Sequence, residues 1–143
     1  METEQKISTL QTAYVAALVD AVARFHETGV LGEVVKRRRR HRGGALANRL
    51  FGVTAPREVF SHLSGIFGCA TWKLEEHGGG FTAVTLGCRM LQLANRTGAP
   101  PPCDLYCLEP MRDMLEALSP EARFEVEETL VGGGCCRVRV DLP

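Results

Sequence analysis

The sequence predicts an α+β domain, an antiparallel sheet carrying helices on one face. Three observations lead there. Apolar residues recur at helical spacing through residues 1–67. Residues 68–143 hold two segments that alternate with period two and turn on glycine runs, and two further helical stretches lie between them. The order is therefore helices first, then β-β-α-α-β-β. At 143 residues the chain is expected to form one domain, with a helical front at 1–67 and an α/β portion at 68–143.

In the helical front, Ile7, Leu10, Tyr14, Leu18, Ala21 and Phe25 recur every three or four residues, which predicts an amphipathic helix over 4–28. Next come Lys36, Arg37, Arg38, Arg39, Arg40, His41 and Arg42. On a helix these charges point all around the axis, so the run is expected to be a solvated turn or a surface arm. It could also meet phosphate, RNA or an anionic lipid. However, 17 basic residues are balanced by 17 acidic ones and no aromatics interleave the run, so nucleic acid is not an expected partner. A short helix carrying Leu46, Leu50 and Phe51 follows Gly43 and Gly44. Thr54, Pro56 and Glu58 form a helix start, and Val59, Phe60, Leu63, Ile66 and Phe67 supply its buried stripe.

The β pattern begins at residues 69–76, where Ala70, Trp72 and Leu74 share one face and Thr71, Lys73 and Glu75 the other. His77 and Gly78–Gly80 make the turn, and residues 81–86 return. Residues 88–96 read as a helix stopped by Gly98 and the prolines at 100–102. Glu109 and Pro110 open another helix, which ends near Ser119 and Pro120. In the closing hairpin, a loop of Gly132, Gly133 and Gly134 would set Leu130 opposite Cys136, Glu128 opposite Val138 and Val126 opposite Val140. Glu127 would then meet Arg139 on the exposed face. That register turns both Glu128 and Cys136 inward.

Composition sets the setting: 45% hydrophobic, 24% charged and six cysteines. No apolar run reaches the roughly 20 residues that span a bilayer, and the acidic, polar amino terminus is wrong for a secretory signal. A cytoplasmic protein with reduced thiols is the expectation. The cysteine spacings match neither a dense disulfide scaffold nor a paired zinc framework.

Cys103 and Cys107, one helical turn apart, fall on one side of the chain, and Cys136 should face the same core. Three converging thiolates could bind zinc or a softer ion, although no fourth ligand is evident. Cys107 lies just ahead of a helix amino terminus, which favours a thiolate nucleophile, yet no histidine is paired with it. An inward Glu128 would need a proton, hydrogen bonds or a polar cavity, the setting of a general acid or base. Trp72, on the inner face of the first strand, would join the cysteines in lining a pocket. The bland alternative for each thiol is a small buried hydrophobe.

Cys103-x-x-x-Cys107, a short helix, a strand ending in Glu128, Thr129 and Leu130, and then Gly-Gly-Cys-Cys-Arg-Val-Arg-Val together resemble the end of the L-2-amino-thiazoline-4-carboxylic acid hydrolase-like family. The same stretch, roughly residues 81–141, is similar to 4-vinyl reductase-type domains. The first resemblance implies bacterial, cytosolic hydrolysis of a C–N bond in a cyclic thiazoline. The second implies a regulatory or accessory domain that binds a small molecule. By position, Cys136 matches the hairpin cysteine, and Cys103 or Cys107 the one ahead of the helix. Gly134 stands where hydrolase-like members often carry an acid, which removes a carboxylate and leaves ligand binding untouched.

The leading expectation is a cytosolic domain that binds a small organic ligand among Cys103, Cys107, Glu128, Cys136 and Trp72. A thiazoline-carboxylate hydrolase using Cys107, Glu128 or Cys136 is the alternative. A homo-oligomer or adaptor joined through the first helix is the third.

Overall fold

A computed structural model of the protein describes residues 1–143 and shows the α+β arrangement. Helices α1 (Thr3–Glu27), α2 (Leu31–Arg40), α3 (Gly44–Phe51) and α4 (Glu58–Phe67) precede strands β1 (Lys73–His77) and β2 (Gly80–Thr85). Helix α5 (Arg89–Thr97) follows. A π turn at Asp104–Leu108 then runs into α6 (Glu109–Leu118), and β3 (Arg123–Glu128) and β4 (Cys136–Asp141) close the chain. The four strands form one antiparallel sheet in the order β1-β2-β4-β3. No helix is long and apolar enough to cross a membrane.

Two apolar clusters organise the interior. The larger places Phe60 of α4 and Met111, Met114 and Leu115 of α6 against Phe81, Val138 and Val140 of the sheet. The smaller joins Val15 and Val19 of α1 to Met90 and Ala94 of α5. Helix α1 thus buries Val15, Val19 and Val22, a stripe adjacent to the one expected from its larger apolar residues. Ile7, Leu10 and Tyr14 stay exposed. Val15 and Val19 meet α5, while Val22 lies beside Leu31, Val35, Leu105 and Leu108.

The arginine run forms the second half of α2, a helix that buries no residue, in keeping with a solvated turn. It is nonetheless tethered by acids. Arg37 and Arg40 reach Glu33, Arg42 reaches Glu116, and Arg39 reaches the largely buried Glu109 at 3.2 Å, which Arg112 also contacts.

Helix α3 docks on α6 with almost no space between them. Gly44 packs directly on the backbone at Asp113, where any Cβ would overlap the carbonyl, and buried Asn48 donates from Nδ2 to the Met114 carbonyl at 2.9 Å. Gly44→Ala tests this contact. Alanine favours a helix over glycine by about 1 kcal/mol, but the overlapping atoms are backbone and cannot rotate away. A net loss of about 1–3 kcal/mol is expected in a chemical denaturation curve. A stabilised variant would show that the two helices are not in contact there.

The closing hairpin corrects the expected register. Val126 lies opposite Val138 and Phe124 opposite Val140, a slide of two residues, while Arg139 faces Glu125 rather than Glu127. A slide of two keeps Val126 on the core face and brings Phe124 into the interior, where it stacks on Phe60. A bulge at Glu127 then sets Glu128 opposite Arg137 on the exposed side. The inward Glu128 expected from the sequence is therefore not formed. The shifted register packs the half-buried Phe124 ring on Phe60, and the bulge exports the Glu128 charge.

Candidate functional site

The two ends of the first hairpin meet beside the second cluster. The Arg89 backbone N–H donates to the Cys69 carbonyl at 2.8 Å, so Cys69, before β1, and Cys88, after β2, spring from adjoining backbone. Behind them the π turn carries Cys103 and Cys107, and β4 begins with Cys136. These five cysteines, with Trp72 and Met90, line an enclosed apolar chamber of about 20 Å³. Cys103, Cys107, Cys136 and Trp72 are thus brought together as the sequence indicated. Cys103 caps the π turn and Cys107 lies within it, one turn on, so both side chains fall on the same side.

Glu128 stands elsewhere. Its carboxylate accepts from the Cys135 backbone N–H at 3.2 Å and from the Cys135 thiol at 2.8 Å, and neither group lines the chamber. The Cys135 thiol bond holds the Glu128 carboxyl below the usual carboxylate range, and the same bond raises the Cys135 thiol. A general acid needs the opposite shift.

Sequence reasoning left out Cys69 and found no evident position for Cys88, yet both line the chamber. The signal was available, since an antiparallel hairpin necessarily brings its two flanks together. Arg89 was overlooked as well. Its guanidinium donates to the Thr12 hydroxyl at 2.8 Å and the Gly68 carbonyl at 3.4 Å, tying α5 to α1 and α4.

Burial sets the thiol chemistry. It pushes Cys103 up to about 12, with Cys88 and Cys136 adding to the effect. Cys107 is raised well above the ordinary thiol value by burial first, and then by its four thiol neighbours. Cys69 and Cys136 are also raised, chiefly by burial. At neutral pH these four side chains are thiols rather than thiolates. Trp72 donates from Nε1 to the Ser64 hydroxyl at 2.7 Å, so its indole N–H is satisfied by oxygen. No three His, Cys, Asp or Glu side chains are arranged to hold a metal ion together, so the three-thiolate zinc centre of Cys103, Cys107 and Cys136 is not formed. Cys103 and Cys107 share one turn while Cys136 begins β4, and Leu91 and Leu108 line the chamber with them.

An open cleft of about 870 Å³ lies on the other side of Cys69 and Cys88. Gln11, Thr71, Lys73, Glu75, Arg89 and Gln92 line it, together with backbone at Gly65 and Gly68. Its volume lies within the range of roughly 300–1,000 Å³ typical of small-molecule sites, whereas the chamber has room for about one water. Cys69 and Cys88 are the two cysteines common to both spaces. No protein-family model, curated protein or solved structure matches the chain.

Proposed function

We propose that the protein is a cytoplasmic domain that binds a small organic anion in the open cleft. The observation that carries this reading is the cleft itself. It is large enough for such a molecule, and it is edged by Lys73 and Arg89 against the single carboxylate of Glu75. The glutamines and the backbone at its walls offer oriented donors and acceptors. A molecule seated there would rest on Cys69 and Cys88 and stay outside the thiol chamber.

The hydrolase alternative draws less support from this geometry. A cysteine nucleophile needs a thiolate and a partner that accepts its proton. Cys103, Cys107 and Cys136 are buried thiols with raised pKa values, and no imidazole or carboxylate lines their chamber. Binding without turnover is the reading these residues favour.

Thermal unfolding of the full chain with thiazoline-4-carboxylate and a set of small carboxylates tests the proposal. A bound anion should raise Tm in a concentration-dependent way, by linkage worth about 2.7 kcal/mol at 100 times Kd. Thr71→Trp places a bulky ring in the cleft from an exposed position and is expected to abolish the shift without lowering the ligand-free Tm. No shift with any carboxylate, or an undiminished shift in Thr71→Trp, would overturn the proposal. Release of a ring-opened product from the thiazoline would install the hydrolase reading instead.

A further inference from the structure

Cys69 and Cys88 hold a position that the binding of an organic anion does not use. They form the wall between the cleft and the sulfur-lined chamber, and the Arg89–Cys69 backbone hydrogen bond holds their backbones side by side. We propose that Cys69 and Cys88 form a two-thiol site for a soft monovalent cation of the Cu(I) type, entering from the cleft.

Size, donor chemistry and charge each point the same way. The chamber has room for one atom-sized guest, which excludes an organic molecule and a hydrated hard cation. Its donors are sulfur: the thiols, and the thioether of Met90 beside them. With no carboxylate or imidazole lining it, the space selects a thiophilic ion. Zinc wants four ligands in a tetrahedron, and no three thiols here are placed to begin one. A d¹⁰ monovalent ion is satisfied by two sulfurs, so it does not need that arrangement.

The step is a ligand exchange without electron transfer. Two S–H bonds break, two S–Cu bonds replace the ion's bonds to its former ligands, and those ligands and two protons leave through the cleft to solvent. The product carries one negative charge. Cys88 is the cap residue at the amino terminus of α5, a nine-residue helix, and the positive end of that helix dipole favours the charge. The Arg89 side chain, held by the Gly68 carbonyl and the Thr12 hydroxyl, lines the cleft from which the ion would enter.

The test titrates the reduced full-length protein anaerobically with Cu(I) against a chromogenic Cu(I) chelator, with native mass spectrometry to count ions. One copper per chain and two protons released per copper are expected. Cys69→Ser and Cys88→Ser should each weaken binding by roughly 100-fold or more, and Cys136→Ser by far less. Alkylation mapping of the copper-loaded wild type guards against variants that fail to fold, and should show protection concentrated at Cys69 and Cys88. Loss of copper to the chelator by the wild type would overturn the site. So would unchanged affinity in both serine variants, or protection confined to Cys103, Cys107 and Cys136. Copper uptake is read without any carboxylate and the Tm shift without any copper, so the two proposals fail separately.

Discussion

Phe60→Ala is expected to cost about 3–5 kcal/mol, a large share of the roughly 5–15 kcal/mol that holds a domain of this size together. Phe60 is fully buried at the point where α4 meets the sheet. Its ring lies edge-on to Trp72 at 5.3 Å and to Phe81 at 5.7 Å, and stacks on Phe124 at 6.1 Å. Deleting it leaves a cavity that three large neighbours cannot fill without leaving their own contacts. Urea unfolding should show a lower midpoint with an unchanged slope, and Phe60→Leu should retain most of the stability. Because Trp72 also lines the thiol chamber, Phe60→Ala should speed alkylation of Cys107 in the folded protein. A loss under about 1 kcal/mol would mean that this aromatic cluster does not carry the core.

The second large effect is loss of stability in alkali. Cys103 titrates at about 12 in the folded chain against an ordinary value of 9.0, and Cys107 is raised well above that value too. A raised folded-state pKa means that the folded chain keeps protons the unfolded chain has released. The contribution is therefore fully present below about 9 and is lost as pH climbs through the folded values. For Cys103 the window runs from 9.0 to about 12. Each such thiol should raise the unfolding constant about tenfold per pH unit within its window. Tyr14 and Tyr106 are raised by burial and act in the same direction. Denaturant midpoints measured from pH 7 to 11 should fall steeply above pH 9, and Cys103→Ala combined with Cys107→Ala should flatten the slope. A midpoint independent of pH there would show that these thiols are exposed to solvent.

The fold was legible where local chemistry and global packing agree. Thr54, Pro56 and Glu58 mark the start of α4 because the Glu58 carboxylate accepts the Thr54 and Ala55 backbone N–H groups, a strictly local arrangement. Alternation in residues 81–86 and 136–141 identified β2 and β4 because both have one face on the core. The α1 stripe was misassigned because Ile7, Leu10 and Tyr14 are larger than the valines that are buried, and nothing local says which face finds a partner. The closing register failed for a similar reason. Two registers that differ by a slide of two residues present the same face, so alternation cannot choose between them.

The candidate site divides along the same line. By itself the sequence determined that Cys103 and Cys107 share a side, that Cys136 and Trp72 face inward, and that no apolar run spans a bilayer. Each of these follows from period, spacing or composition. Only the tertiary structure decided that Cys69 and Cys88 complete the chamber, that Glu128 leaves it, and that the open cleft lies on the far side of those two thiols. Those outcomes depend on which elements meet across long stretches of chain. They are settled by the bulge that turns Glu128 to the exposed side, and by closing the first hairpin so that its flanks hydrogen-bond.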